Sequence, residues 1–240
     1  MKKDILGKIG REIARRKRRR MLINHDFSII SNSCIGGVIS NSLKERFNSP
    51  TVNLIIWPDE FIVFCNHLKE YAQCPLKRIN EQETNERFVP YPLGKIQGRN
   101  YGLPDIVVRF VHYNSFEEAK QKWEERFNRI NYNNIFFIME HGMNASERIM
   151  DKFEAIPYSN KVFLSSFSKS ERWPHNFNFS FYTNELYEEA NVYNTINFGL
   201  GQYRWLDEFD YITWLNICKI QTDTRVKKKI QTQIQKTKEL

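Results

Sequence analysis

Apolar residues recur along the chain at two spacings, which predict alternating strands and helices. Continuous apolar runs predict buried strands at residues 27–31, 51–56, 105–113, 133–139 and 161–166. Helical spacing predicts helices at residues 34–46, from Pro58 onward, and at 116–130, 145–155 and 209–218. This alternation predicts an α/β fold with a mainly parallel sheet and helices on both faces. An irregular, aromatic-rich C-terminal part follows at residues 167–218.

Local signals refine this pattern. Ser115, with Glu118 three residues on, predicts a capping box at the start of the 116–130 helix. Trp123 lies on the apolar stripe of that helix and is predicted to be a core residue. Prolines and glycines between residues 73 and 104 predict a long irregular connection containing short strands, such as RFVPY at 87–91.

Charge is distributed unevenly between the two ends of the chain and its middle. Residues 1–20 contain ten Lys or Arg and two acids, residues 219–240 contain seven and two, and the segment between them is net acidic. A nucleic-acid-binding protein needs basic groups on its folded surface, so no nucleic-acid partner is expected. We expect a basic helical N-terminal extension at 1–22, a single α/β domain at 23–218 and a basic helical C-terminal extension at 219–240.

The N-terminal extension has an apolar stripe beside its basic residues. Ile5, Leu6, Ile9 and Ile13 are at helical spacing and are followed by a run of basic residues. One interpretation is an amphipathic helix in which residues 1–20 contact an anionic membrane; the other is a solubilising tail or a helix packed on the domain. The sequence has no run of 18 apolar residues and no apolar signal-peptide segment. We therefore expect a cytoplasmic protein, at most peripheral at the inner membrane, with reduced cysteines.

The turn SNSCIGG, at residues 31–37, has the chemistry of a binding site. Open α/β sheets bind ligands at the carboxyl ends of their strands, which is where this turn is predicted to lie. A thiol at a helix N-terminus is expected to have a lowered pKa, so Cys34 is a candidate nucleophile. The N–H groups around Gly36 and Gly37 could bind a phosphate or an oxyanion. The alternative is structural, with Cys34 as a small first-turn residue and the glycines as contacts between helix and sheet.

Several common catalytic motifs do not occur in the sequence. No His-x-x-x-His, Asp-x-Asp or Cys-x-x-Cys spacing is found, so no metal is expected. The sequence also lacks a P-loop and a Gly-x-Gly-x-x-Gly motif, which disfavours nucleotide hydrolysis and dinucleotide redox chemistry.

Three segments together resemble one bacterial family. They are SNSCIGGVISNSLKERFNSPTVNLII at residues 31–56, YPLG at 91–94 and VVRFVHYNSFEEAKQKWEERFNRINYNNIFF at 107–137. Over residues 27–215 the chain resembles domain of unknown function 1919, whose members are often labelled exopolysaccharide biosynthesis proteins. The resemblance implies an α/β fold and a role in making capsular or secreted polysaccharide, without implying a reaction. The matching positions are Ser31, Asn32, Cys34, Gly36, Gly37, His112, Tyr113, Trp123, Arg126 and Asn131.

Three further residues are predicted to lie at the same sheet edge as Cys34. His112 ends the 105–113 strand and is a candidate base; the alternative is a hydrogen bond to its own loop. Glu140 and His141 follow the 133–139 strand. Glu140 is a candidate catalytic residue that orients His112; the alternative is a solvated loop carboxylate.

The remaining candidates would bind substrate or an anion. Arg126 lies off the apolar stripe and could bind a phosphate or form a surface ion pair. The rest of this predicted set is Ser31, Asn32, Gly36, Gly37, Tyr113, Asn131 and His141.

Three functions are consistent with these features. The leading hypothesis is a transferase that modifies a sugar or polysaccharide precursor by acyl transfer through Cys34, with His112 as base. The Asn-Ser-Cys segment is similar to the Asn-Cys turn of capsule enzymes thought to bind coenzyme A, which makes acyl-coenzyme A the candidate donor. A second hypothesis is a transferase whose phosphorylated or nucleotide-linked donor binds at the turn from Cys34 to Gly37. A third is a non-catalytic partner that docks a polysaccharide assembly complex on the membrane.

Overall fold

The chain divides into two compact units. One is Ser28–Asn191, and the other combines Met1–Phe27 with Val192–Leu240. The computed structural model describes residues 2–84, 86, 89–142, 146–180, 195–198 and 201–222. The domain boundaries expected after residues 22 and 218 stay predictions, and most of the expected C-terminal extension lies outside the described residues.

Helices and strands alternate along much of the described chain. The helices are α1 (Lys2–Met21), α2 (Ile35–Leu43), α3 (Pro58–Asn66), α4 (Leu68–Tyr71), α5 (Phe116–Phe127), α6 (Glu147–Glu154) and α7 (Tyr211–Thr222). The strands are β1 (Ser28–Ser31), β2 (Leu76–Ile79), β3 (Leu93–Ile96), β4 (Ile106–Arg109), β5 (Ile135–Gly142), β6 (Lys161–Ser165), β7 (Asn176–Asn178), β8 (Thr195–Phe198) and β9 (Gly201–Arg204).

A four-stranded parallel sheet with the order β1-β5-β6-β7 forms the centre of the Ser28–Asn191 unit. All five residues from Ile135 to Met139 on β5 are buried. A strand that buries successive side chains is covered on both faces, as parallel strands connected by helices are. The predicted α/β fold with a mainly parallel sheet is therefore confirmed.

The two faces of this sheet pack against different helices. Ile30, Phe137 and Phe163 belong to a large apolar cluster that also takes in buried side chains of α3, α5 and α6. Trp123 lies in this cluster, as predicted. Successive side chains of a strand point to opposite faces, and Ile29, next to Ile30, lies on the face covered by α2, where its side chain meets the helix.

The predicted 105–113 strand does not join the parallel sheet. The part of it that forms a strand, β4, pairs instead with β3 in the antiparallel sheet β2-β3-β4. The predicted 51–56 strand is also wrong, because this segment forms only one isolated bridge, between Ile55 and Arg109. Asn53 is in the left-handed region at φ 63°, and the hydroxyl of Ser49 accepts a hydrogen bond from Thr51 N at 3.2 Å. Such local bonds compete with a strand ladder, which explains the difference.

The second unit contains α1, the β8–β9 hairpin and α7. Arg18 of α1 forms an ion pair with Asp207 at 3.1 Å and lies over the ring of Tyr211, 5.5 Å from its centroid. The Asn216 side-chain oxygen accepts a hydrogen bond from Ile23 N at 2.9 Å. These contacts tie the two ends of the chain together within this unit. Among the helices of the described chain, none is long and apolar enough to cross a membrane.

Candidate functional site

Asn32 joins the carboxyl ends of β1 and β5. Its side-chain amide donates to the Glu140 carbonyl at 2.8 Å, and its side-chain oxygen accepts from Glu140 N at 2.8 Å. The buried amide thereby continues the ladder of hydrogen bonds one step past the last paired residue of β1, Ser31. The N–H group and the oxygen of the Asn32 side-chain amide both bond to Glu140, so Asn32 fixes the edge at which the candidate residues lie.

The Glu140 carboxylate lies at this edge beside a serine hydroxyl. Ser33 Oγ donates to Glu140 Oε2 at 3.0 Å, and the Glu140 side chain is half-buried. The register between β5 and β6 shifts at Glu140 and Gly142, where the ladder is irregular. Such bulges re-aim side chains next to binding sites. Glu140 is therefore a carboxylate held in place at the edge where parallel sheets bind ligands.

Cys34 caps the N-terminus of α2, as predicted, but its thiol is not activated. The residue is 7% exposed, and burial together with the charge of Glu140 raises the pKa of Cys34 to about 11. The expectation of a lowered pKa was therefore wrong. Loss of solvent and a nearby carboxylate both disfavour a thiolate, and they outweigh the positive end of a nine-residue helix.

The two glycines make close packing contacts. A Cβ built at Gly36 would lie 2.8 Å from Ser31 Oγ, and one at Gly37 would lie 3.0 Å from a methyl group of Val52. Gly36 N donates to Ser31 Oγ at 3.3 Å, so this N–H is capped from within the turn. Ser31 Oγ in turn donates to the Ser33 carbonyl at 2.7 Å. These contacts are those that the structural alternative predicted for the glycines, and Ser31 takes part in them.

Three other candidates are not brought into contact with Cys34 by any hydrogen bond or ion pair of the described residues. His112 is exposed in the turn after β4, and in the described part of the chain no hydrogen bond or ion pair engages its side chain. The expectation that His112 ends a strand of the parallel sheet is corrected, since β4 belongs to the antiparallel sheet. Asn131 N donates to Ser28 Oγ at 2.9 Å, which places Asn131 at the amino end of β1, opposite Cys34. The His141 side chain lies outside the described residues.

Tyr113 and Arg126 form a second group. Arg126 Nη1 donates to Tyr113 Oη at 2.5 Å, and Tyr113 Oη donates to the Val52 carbonyl at 3.0 Å. Burial raises the pKa of Tyr113, Arg126 opposes this rise, and the charge of a Cys34 thiolate would add to it. Tyr113 is therefore near both the Cys34 turn and Arg126.

Sequence reasoning missed three residues that the structure brings to these groups. Ser33, which holds Glu140, lies inside the quoted SNSCIGG turn but was not singled out. Arg46 and Arg126 both lie close enough to Arg129 for their charges to act on it. The sequence shows only that Arg46 and Arg129 are basic, and this does not reveal where their side chains lie.

The described residues contain no group of three or more His, Cys, Asp or Glu side chains placed to hold a metal ion. Glu140 and Cys34 lie close together at the candidate edge, but no third His, Cys, Asp or Glu among the described side chains joins them to form a metal site.

Comparison with known proteins connects this fold to one family. The chain is 29% identical over 215 residues to a protein of Haemophilus influenzae described as "Uncharacterized protein", and the match covers 89% of this chain and 96% of that protein. Residues 5–216 match the family described as "Domain of unknown function (DUF1919)". The chain therefore belongs to the DUF1919 family.

Proposed function

We propose that this protein is a transferase of exopolysaccharide or capsular polysaccharide synthesis, with Glu140 as its general base. The observation that carries the proposal is the Glu140 carboxylate, held by Ser33 Oγ at 3.0 Å at the carboxyl edge of the parallel sheet. The polysaccharide setting rests on the family resemblance of the sequence. The proposed donor is acyl-coenzyme A or a nucleotide-linked sugar, and the proposed acceptor is a hydroxyl group of a sugar precursor.

In the proposed reaction Glu140 removes the proton from the acceptor hydroxyl. The oxygen attacks the carbonyl carbon of a thioester, or the anomeric carbon of a sugar donor, and the bond to the leaving thiolate or phosphate breaks. The proton held by Glu140 then passes to the leaving group. A positioned base of this kind contributes about 10²–10⁴-fold to a rate. Asn32 contributes by fixing the backbone that carries Glu140.

Direct transfer is favoured over a covalent intermediate on Cys34. The thiolate is the reactive form of cysteine, and a pKa of about 11 leaves few thiolates at neutral pH. The carboxylate that would serve as base also repels a thiolate at Cys34. His112, the base expected from sequence, is exposed and without a hydrogen bond in the described part of the chain.

A donor and acceptor panel followed by mass spectrometry tests the proposal. The wild-type protein is expected to add an acyl or glycosyl mass to a sugar acceptor. The Glu140→Gln variant should be at least about a hundredfold slower. The Cys34→Ala variant should keep its activity and should trap no acyl-enzyme. Full activity of Glu140→Gln would refute the role of Glu140, whereas an acyl adduct on Cys34 would restore the covalent route.

We also propose that α1 contacts an anionic membrane, which would hold the enzyme at the inner leaflet. Ile9 is 51% exposed and Ile13 is 63% exposed, although both are large apolar residues. Arg16 and Arg20, also exposed, are close to the same helix face. Exposed apolar residues bordered by basic ones are typical of helices that lie on anionic lipid.

A further inference from the structure

An unusual group of arginines lies beside the Tyr113 side chain. Arg126 is 8% exposed, yet its guanidinium has no carboxylate partner among the described residues. Its Nε is buried without a hydrogen bond, and so is the Nε of Arg129. A buried charge usually has an opposite charge beside it, because desolvation without a partner is costly.

The chain places two further arginines next to Arg126. Arg129 follows one helical turn later, with its N–H donating to the Arg126 carbonyl at 3.1 Å. The Arg126 guanidinium lies over the ring of Phe47, 5.4 Å from its centroid, and Arg46 is the residue that precedes Phe47. The pKa of Arg129 is lowered by burial and then by the charges of Arg46 and Arg126, so each of these two charges repels that of Arg129.

The acid whose charge acts on Arg129 is also engaged by other side chains. Glu125 acts favourably on Arg129, but its carboxylate binds Lys122 Nζ at 3.2 Å and Gln121 Nε2 at 2.8 Å. Arg46 and Arg126 form no ion pair within the described part of the chain. None of the three arginines, one of which is buried, therefore forms an ion pair with a carboxylate in the part of the chain that the structure describes.

We propose that Arg46, Arg126 and Arg129 form a binding site for the phosphate or diphosphate group of a small molecule. Guanidinium groups bind phosphate oxygens through paired N–H donors, and a bound phosphate would offset the repulsion that Arg46 and Arg126 exert on Arg129. Arg126 is the buried residue at the bottom of the site, and the more accessible Arg129 and Arg46 border it. Both coenzyme A and a nucleoside diphosphate carry this group. The site does not depend on the proposed reaction, since inorganic ligands alone can test it.

Calorimetric titration of the full chain with sodium pyrophosphate at low salt tests the site. The expected result is saturable binding that Arg46→Gln and Arg129→Gln each weaken about tenfold or more. Arg78→Gln is the matched control, because Arg78 is an exposed arginine whose loss changes the net charge equally. Arg78→Gln should leave the affinity unchanged. Phosphate, coenzyme A and uridine diphosphate are separate arms, and the tightest ligand identifies the source of the phosphate group.

The melting temperature supplies a second readout. Without ligand, Arg129→Gln should melt about 1–2 °C higher than the wild type, because one of three repelling charges is gone. With pyrophosphate, the wild type should gain more stability than the variant. Absence of saturable binding by every arm would overturn the proposal, and so would equal weakening by Arg78→Gln. Saturable phosphate binding by a protein without transferase activity would keep this site and refute the proposed reaction.

Discussion

The Cys34 thiol is predicted to resist alkylation at neutral pH. Its pKa of about 11 leaves roughly one thiolate in a thousand at pH 8, against about one in ten for a thiol with an ordinary pKa near 9. The raised pKa alone should therefore make the labelling rate of Cys34 about 100-fold lower in the folded protein than in the unfolded chain. Burial of the residue, at 7% exposure, lowers the rate further.

Iodoacetamide labelling followed by peptide mass spectrometry measures this rate as a function of pH. Steric protection lowers the rate at every pH, whereas the raised pKa determines where the rate stops increasing. We expect the Cys34 rate to rise about tenfold per pH unit between pH 7 and 10, without a plateau. Cys65, which is fully buried, serves as the internal control for labelling by global unfolding. A plateau of the Cys34 rate below pH 8 would show an activated thiol and would refute the reasoning.

Other predictions concern packing, the sheet edge and α1. Gly36→Ala should lower the free energy of unfolding by about 1–3 kcal/mol, because the new Cβ would lie 2.8 Å from a side-chain oxygen of β1. Gly10→Ala, with no atom within 4 Å of its Cβ, should not destabilise the protein, and equal losses in urea unfolding would contradict this account. Asn32→Ala should cost about 1–3 kcal/mol in the same assay, since two buried hydrogen bonds are lost; a loss below about 0.5 kcal/mol would count against its role at the edge. Serine at both Ile9 and Ile13 should reduce sedimentation with anionic vesicles about tenfold without changing the melting temperature, and unchanged sedimentation would refute membrane contact.

The sequence predicted best those elements whose signals are local. Helix α5 begins where Ser115 predicted it, and Ser115 Oγ accepts a hydrogen bond from Glu118 N at 3.1 Å. Strand β5 and helix α6 also lie where the apolar pattern predicted them. Each of these signals depends on residues close together in the chain, so one sequence is enough to recognise it.

Pairing between distant segments could not be predicted in this way. The apolar run containing β4 is compatible with either sheet, and its partner β3 lies in the 73–104 connection, where short strands were predicted without their pairing. The placement of His112 at the end of a parallel strand was inferred from that pairing and was therefore wrong as well. The prediction of a lowered Cys34 pKa failed for a related reason. Burial and the charge of Glu140 raise this pKa, and Glu140 is over 100 positions away in the chain.

The pH dependence of kcat/KM, once a donor and acceptor pair is found, tests the central claim most directly. A reaction with Glu140 as base should rise with pH until that carboxylate is ionised and then level off. The Glu140→Gln variant should lose this rise. A reaction that depends on the Cys34 thiolate would instead increase about tenfold per unit through pH 10, because the pKa of that thiol is about 11. That continued increase, absent in Cys34→Ala, would contradict the account.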